Sequence, residues 1–391
     1  MQNPFMEPDY KKNSLTSKII DNYHIDNVTM GRDKTMNIFV RSKDTRKKYY
    51  IKWYEHDIDD ADGSWESRVK LEQAFAKFLL DKFVLTGKTP HINRYLDLVS
   101  DCENADEQIE LMLGRDCPPI RNIIGVDIDR NVANPFCVKV SDIRASMLSD
   151  KYDLMISQYG GKPLYDFMDR LCLSVEKRGF RRSEFFRRKV EELNRIYFQM
   201  IFTIAVIKEQ YPGYIHGNLF SRNIVVDVVN TYSNLDYLAY HINGKIFYTK
   251  CNGPHAKMID FEESRINKPG MDFRTLFPGK KEVYYPTGPD DEYFDMWSLL
   301  GIQWYNSVQC GHDCRIITHV LEKFLNMDIS KDIAKLLRNP GVRHYVDSGI
   351  QGLDKMESFV KKPMEYLESD IFDEYTKLPD NARIIYRFNE K

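Results

Sequence analysis

The segment from Ser183 to Gln210, SEFFRRKVEELNRIYFQMIFTIAVIKEQ, constrains the fold more than any other part of the chain. Its apolar residues recur at helical spacing, which predicts a long helix packed against a core. Ser183 and Glu184 suit the start of that helix, because a short polar side chain and an acidic residue stabilise a helix N-terminus. The stripe is formed by Val190, Leu193, Tyr197, Met200, Ile201 and Ile204.

The chain before this helix is typical of a β-sheet. SKIIDNYHI and TMNIFVRS flank a short loop around Gly31, and KKYYIKWYE and HINRYLDLV are also rich in strand-forming residues. One strong helical pattern interrupts them, SWESRVKLEQAFAKFLLDKF, for which Ser64 is a suitable cap. We therefore expect a sheet with one main helix.

The strand-like pattern changes to a helical one at Gly160-Gly161, inside YDLMISQYGGKPLYDFM. We predict a first domain at residues 1–158, with an irregular insertion at about 101–150, and a second at residues 159–391. In the second, Asn243-Gly244 predicts a tight hairpin turn. HAKMIDFEES predicts a strand, and DMWSLLGIQWYNSV and CRIITHVLEKFL predict helices. The fold class is therefore α+β.

Composition limits the classes of function. The chain has 391 residues, 42% of them apolar, and a formal net charge of −2, so no overall field draws it to nucleic acid. The odd number of cysteines, seven, suits a reducing compartment. The longest apolar run, YFQMIFTIAVI, is too short to span a bilayer, and the N-terminus has no signal-peptide core. We expect an intracellular, cytoplasmic protein with no membrane span.

The stretch YIHGNLFSRNIVV sets polar residues at a spacing that is typical of a catalytic loop. It sets His216, Asn218 and Asn223 in the order H-x-N-x-x-x-x-N. Alone, such a string is also compatible with a turn capped by two Asn residues. Other motifs follow the same order along the chain: Lys52 in YIKW, Glu72 on the first helix, Asp260 in IDFE, and Asp295 in DMWSLLG.

In this order and spacing, the chain resembles the protein kinase superfamily from about residue 20 to at least residue 310. The long hairpin between Asn223 and Asp260 resembles the divergent kinases of large cytoplasmic DNA viruses more than it resembles ordinary cellular kinases. The resemblance implies a bilobal fold, with an antiparallel-sheet N-lobe and a mainly helical C-lobe.

The resemblance also implies roles for individual residues. Lys52 would hold nucleotide phosphates with Glu72, or alternatively Glu66, as its ion-pair partner. The backbone from Ser157 through Gln158 to Tyr159 would face the adenine of ATP. The remaining residues would be the Mg²⁺ ligands Asn223 and Asp260, the brace Asp295, and the catalytic-loop residues His216, Asn218 and Arg222.

Several positions depart from the kinase pattern. The base position holds Asn218, whose carboxamide cannot accept a proton at neutral pH. Gly217 replaces the neighbouring arginine, Phe220 replaces a lysine, and Glu262 replaces the glycine of D-F-G. The front loop offers Gly31 where kinases have three glycines. Arg222 is a possible compensation, since it lies where tyrosine kinases carry an arginine.

Two hypotheses of different class follow. In the first, the protein is a catalytically impaired pseudokinase that binds ATP and Mg²⁺, acts as a scaffold, or does both. Its partners would then include viral structural proteins, and a virion location is one form of this hypothesis. In the second, it is a slow Ser/Thr or Tyr kinase acting on a protein substrate through Asn218. Losing a catalytic base lowers the rate by about 10²–10⁴.

Two further clusters leave alternatives open. KRGFRRSEFFRRK, residues 177–189, is either a solvated helix entrance or a surface for an acidic or phosphate-rich partner. CGHDCRIITH, residues 310–319, brings Cys and His close together, so a zinc site is one alternative, although the spacing matches no zinc-finger pattern.

Overall fold

The computed structural model describes residues 23–30, 35–55, 64–102, 151–178, 184–266, 291–301, 315–325 and 360–390. Several predictions lie outside these residues. They concern Gly31, the insertion beyond Cys102, the middle of the basic stretch, and Cys310, His312 and Cys314. The side chain of Glu66 also lies outside the described part.

Contacts between Cα atoms divide the chain into two units. The sheet unit comprises the described residues within Phe5–Leu80 and Asn93–Tyr159. The helical unit comprises those within Asp81–Ile92 and Gly160–Lys391. Residues Asp81–Ile92 thus join the helical unit, although they precede the boundary that the sequence indicates at residue 158.

The sheet unit is built on a five-stranded antiparallel sheet with one main helix, as predicted. The strand order is β1-β2-β3-β5-β4. The helix, α1, covers Ser64–Leu79 and continues into a π-helical turn at Leu80–Val84. The strands are β1 Tyr23–Met30, β2 Thr35–Ser42, β3 Lys48–Glu55, β4 Tyr95–Cys102 and β5 Tyr152–Gln158.

Side chains that alternate along the strands place apolar residues on one face of this sheet, where they form its core. Met36, Ile38 and Val40 of β2 are buried on one face. On that face of β3, Trp53 is fully buried and stacks on Tyr152, with ring centroids 3.7 Å apart. Burial of such large rings gives the sheet its apolar core. The opposite face carries the polar residues considered below.

The helical unit combines long helices with small sheets. Its helices are α2 Leu164–Arg178, α3 Glu184–Gln210, α4 Asp291–Met296, α5 Arg315–Phe324 and α6 Pro363–Glu368. The unit also contains a π-helical turn at Trp297–Gly301 and 3-10 turns at Ser221–Asn223 and Asp370–Tyr375. The strands are β6 Lys162–Pro163, β7 Tyr214–Ile215, β8 Ile224–Val229, β9 Asp236–Ile242, β10 Lys245–Lys250, β11 Gly253–Met258, β12 Arg265–Ile266 and β13 Arg383–Phe388.

Helix α3 forms the centre of the helical unit. The sequence predicts a helix with a single apolar stripe, but every residue from 193 to 207 is buried. Strand β11 and helices α5 and α6 contact it, so it has no solvent face there. Some of its buried polar side chains bond to the main chain of the neighbouring strand β11. Gln199, for example, accepts a hydrogen bond from the Ala256 N–H and donates one to the Pro254 carbonyl.

The predicted hairpin is confirmed. Strands β9 and β10 pair antiparallel, and Asn243 and Gly244 both have positive φ, 47° and 74°, as a primed turn requires. Strand β13, which pairs parallel to β9, is not among the predicted elements. Its pattern RIIYRF has β-forming residues that indicate a strand.

None of the helices in the described ranges is both long and apolar enough to cross a bilayer. Among the described cysteines, Cys102 and Cys251 are buried thiols and Cys172 is disulfide-bonded. The disulfide at Cys172 is not what the expected reducing compartment predicts.

Candidate functional site

The polar face of the sheet unit carries a buried ion pair. The ammonium of Lys52 on β3 lies 2.9 Å from the Glu72 carboxylate on α1. The two side chains are 5% and 0% exposed. The predicted ion pair is therefore present. Its role in holding phosphates remains a prediction.

Tyr54 is a member of this cluster that sequence reasoning missed. It lies two residues after Lys52, so both side chains project from the same face of β3. Its hydroxyl donates a short hydrogen bond to the Glu72 carboxylate, and its ring lies 5.0 Å from the Lys52 ammonium. The sequence contains a signal for this contact. Lys52 and Tyr54 are two residues apart on a predicted strand, so they share a face, and the helix that carries Glu72 follows. Tyr54 thus helps to fix Glu72 against the sheet.

Gln158 is the last residue of the interior strand β5, and Tyr159 follows it. The Gln158 N–H donates to the Arg94 carbonyl at 2.9 Å, and the Tyr159 N–H donates to the Lys48 carbonyl at 3.4 Å. Both main-chain donors therefore have carbonyl partners within the sheet unit. Their predicted role toward an adenine remains a prediction.

In the helical unit, a buried carboxylate supports the HGN loop. Strand β7 pairs with β12 just before the loop. The Asp295 carboxylate then accepts hydrogen bonds from the N–H groups of His216 and Gly217, at 2.9 and 3.1 Å. Asp295 is fully buried. Asp295 thus contacts the loop from α4, in agreement with its predicted bracing position.

The backbone at Gly217 explains why no arginine stands there. Its φ is +79°, a region that L-residues with side chains rarely adopt. A Cβ at this position would lie 2.5 Å from the Glu263 carbonyl oxygen. The turn therefore excludes a side chain at the position where kinases carry an arginine.

His216 is fully buried, and this burial lowers the pKa of its imidazole, although Asp295 opposes the shift. The Asn218 N–H lies 3.3 Å from Nδ1, so Nδ1 is the acceptor and the proton is on Nε2. A buried, neutral imidazole that packs 5.2 Å from the Phe261 ring fixes the loop. His216 is therefore placed as a support for Asn218.

The carboxamide of Asn218 bridges two opposite charges. Its Nδ2 donates to the Asp260 carboxylate at 3.2 Å, and its Oδ1 accepts from the Arg222 guanidinium at 3.1 Å. The reverse orientation would set oxygen against carboxylate and NH₂ against guanidinium, and both contacts would be unfavourable. The two partners thus determine which way the amide points.

Asn223 and Asp260 are brought together by β8 and β11. Ile224 pairs with Met258 in this ladder, and the Ile259 N–H donates to the Asn223 carbonyl at 3.0 Å. The Asn223 Nδ2 donates to the Asn218 carbonyl at 2.8 Å. Because the NH₂ of Asn223 is engaged there, its carboxamide oxygen is the atom that can bind a cation.

Asp260 has a left-handed backbone, with φ at 67°. Non-glycine residues adopt this region rarely, and Asp is among the few that tolerate it. The Asp260 carboxylate and the Asn223 amide oxygen are hard oxygen donors of the kind that Mg²⁺ prefers. The half-buried Glu262 follows two residues later. The residues present therefore fit a divalent cation in their chemistry.

The predicted residues thus fall into two groups. The structure gathers His216, Asn218, Arg222, Asn223 and Asp260 in the helical unit. Lys52, Glu72, Gln158 and Tyr159 belong to the sheet unit.

The chain is similar to a viral protein whose name states a function. The chain is 26% identical over 352 residues to a protein of Acanthamoeba polyphaga mimivirus named "Putative serine/threonine-protein kinase R301". The alignment covers 87% of this chain and 84% of the mimivirus protein. No protein-family model matches the chain. The similarity supports a kinase-like relationship and agrees with the mixed α+β architecture.

Proposed function

We propose that this protein is a kinase-like protein that binds ATP with Mg²⁺ and is impaired in phosphotransfer, that is, a pseudokinase. The observation that carries the proposal is the bridge made by the Asn218 carboxamide between Arg222 and Asp260.

Asn218 is unsuited to be a general base for two reasons. A carboxamide does not accept a proton at neutral pH. Its oxygen also accepts a hydrogen bond from the Arg222 guanidinium, which makes it a weaker acceptor for a substrate hydroxyl. The loss of base catalysis reduces a rate by about 10²–10⁴.

Ligand binding is supported by residues in each unit. Lys52 is a cation held in place by Glu72 and would bind phosphates. Asp260 and Asn223 offer oxygens for Mg²⁺, which when bound would neutralise phosphate charge. The named mimivirus relative supports the same kinase-like class.

The test is a paired assay on the purified chain. Thermal unfolding is measured with ATP and with Mg²⁺ or Mn²⁺, and phosphate transfer from labelled ATP is measured in parallel. We expect a metal-dependent rise in Tm with little or no transfer, because a ligand that binds only the folded state stabilises it. Lys52→Met and Asp260→Asn should each reduce the rise. No rise at millimolar nucleotide with either metal would contradict nucleotide binding.

A second candidate is a slow protein kinase. It is favoured by the ordered placement of the Asn218 oxygen, which can still orient a hydroxyl, and by the name of the mimivirus relative. Phosphotransfer depends largely on positioning and electrostatics, so a missing base need not abolish it. Transfer that is lost in Asp260→Asn would favour this candidate.

We also infer that the protein acts in the cytoplasm of an infected cell or in a virion, with a protein substrate or a scaffold partner such as a viral structural protein. The viral source of the relative supports this inference. Affinity purification from infected cells and from purified virions would test it.

A further inference from the structure

The pairing register of the sheet unit sets an aromatic ring beside the candidate phosphate-binding lysine. Asn37 of β2 pairs with Lys52 of β3, and Phe39 pairs with Tyr50. Residues directly opposite in an antiparallel pair share a face, as do residues two apart on one strand. Phe39, Tyr50 and Lys52 therefore project from one face. Phe39 lies about 6.6 Å along the strand direction from the row of Lys52.

The ring of Phe39 is half-buried and held by its neighbours. The Tyr50 ring packs against it at 5.4 Å between centroids, and Tyr159 stands edge-on to it at 6.1 Å. The Tyr50 hydroxyl is fixed by a 2.5 Å hydrogen bond to the Asn37 side chain. The Lys48 ammonium lies over the Tyr159 ring at 5.2 Å. Phe39 is thus a partly open ring on a rigid support.

The main-chain donors beside this ring have protein partners. The Gln158 and Tyr159 N–H groups donate to the carbonyls of Arg94 and Lys48. A base that lay here could not hydrogen-bond to either donor without breaking a contact of the sheet. Neither of these two donors is therefore available to a base, whereas the half-buried Phe39 ring beside them offers a surface for stacking.

We propose that this face holds a nucleotide base by stacking against Phe39, with Lys52 binding the phosphates, so that nucleoside triphosphates bind with little regard to the base. The proposal rests on the nucleotide binding proposed above. Stacking tolerates different bases because each base has a π-face, whereas hydrogen bonds to the base edge would distinguish adenine from guanine.

Isothermal titration calorimetry of the full chain with Mg²⁺ and ATP, GTP or tripolyphosphate tests the proposal. We expect Kd values for ATP and GTP within about fivefold of each other, a difference of about 1 kcal/mol. Phe39→Leu should weaken both nucleotides by about five- to a hundredfold, the range of base stacking, and leave tripolyphosphate binding unchanged. The matched control is Tyr49→Leu, which removes a ring at the adjacent position on the opposite face.

Three results would overturn the proposal. The first is a preference for ATP over GTP larger than about fivefold, which would leave the proposed nucleotide binding intact. The second is an equal loss of nucleotide and tripolyphosphate binding in Phe39→Leu. The third, no binding of either nucleotide, would contradict the proposed function as well. If Phe39→Leu does not fold, the ratio of ATP to GTP affinity in the unaltered chain decides.

Discussion

The two charge clusters of this protein, one in each unit, are built in different ways. In the sheet unit, Lys52 and Glu72 form a buried pair of opposite charges, and Tyr54 adds a hydrogen bond. In the helical unit, a neutral carboxamide stands between a guanidinium and a carboxylate. Under the proposed function, the first cluster supplies the positive charge that would bind phosphates. The second lacks the carboxylate that a catalytic base would require.

This difference shows that the Asn218 carboxamide has a structural role of its own, beyond the loss of an aspartate from the base position. Its side chain has a donor at one end and an acceptor at the other, so it matches Asp260 and Arg222 at once. An aspartate has acceptors at both ends and would oppose the Asp260 carboxylate. The loop is therefore complementary to the amide, and the predictions below test how far each cluster depends on its charges.

The largest effect is expected from Glu72→Ala. It would leave the Lys52 ammonium buried without this counter-charge, and breaking a buried pair in this way costs about 3–5 kcal/mol. Urea unfolding measures the loss. The control is Lys52→Met combined with Glu72→Leu, which replaces both charges with apolar groups and should cost much less. An equal loss in the double variant would assign the effect to packing.

Tyr54→Phe is expected to have the next largest effect, because its hydroxyl donates to a buried carboxylate. Hydrogen bonds to charged groups contribute about 1.5–3 kcal/mol, against about 0.5–1.5 kcal/mol for neutral ones. Tyr50→Phe, on the same strand as Tyr54, is the matched control, because the Tyr50 hydroxyl bonds the neutral side chain of Asn37 on β2. If the two variants lose equal stability in urea, Tyr54 does not act through the charge of Glu72.

Acid should weaken the helical unit through its buried neutral histidines. Burial lowers the pKa of His255 to about 4, and the nearby Arg195 adds to the shift. Burial also lowers the pKa of His91 well below its usual range. Between about pH 6.5 and pH 4, the unfolded chain therefore binds protons that the folded chain does not bind. The free energy of unfolding consequently falls as the pH falls through this window.

The magnitude from His255 alone is about 2 kcal/mol of unfolding free energy between pH 7.5 and 5. Urea unfolding at the two pH values measures it. His255→Gln should lose correspondingly less stability on acidification, because it has no proton to gain. The same loss in both proteins would show that other groups control the acid response.

Much of this arrangement could be predicted from the sequence, for local reasons. Strand alternation located the sheet, the Asn243-Gly244 pair located the hairpin turn, and helical spacing located α3. The ion pair of Lys52 with Glu72 was implied by the resemblance to protein kinases. The orientation of the Asn218 amide could not be predicted, because it depends on Asp260, which is distant in sequence. The parallel pairing of β13 with β9 likewise depends on a partner far along the chain.

Asn218→Asp is expected to have the smallest effect on free energy. It is also the sharpest test of the difference between the two charge clusters. One oxygen would still accept from Arg222, while the other would replace the Nδ2 that lies 3.2 Å from the Asp260 carboxylate. Without a cation the two carboxylates repel, so the variant should gain more thermal stability from Mg²⁺ than the unaltered chain does. If base function limits the rate, transfer from labelled ATP should rise at least about tenfold, or about 1.4 kcal/mol.

The control for this last test is Asn218→Asp combined with Asp260→Asn. It keeps one negative charge in the pair and removes the repulsion, but it lacks the carboxylate proposed to bind Mg²⁺. It should therefore be stable without Mg²⁺ and inactive. If the unaltered chain transfers phosphate and Asn218→Asp is no faster, Asn218 orients the hydroxyl adequately and the slow-kinase candidate is preferred. If the unaltered chain and Asn218→Asp both transfer no phosphate while ATP binds, the departures at Gly31, Phe220 and Glu262 suffice to prevent transfer, and the two clusters serve binding alone.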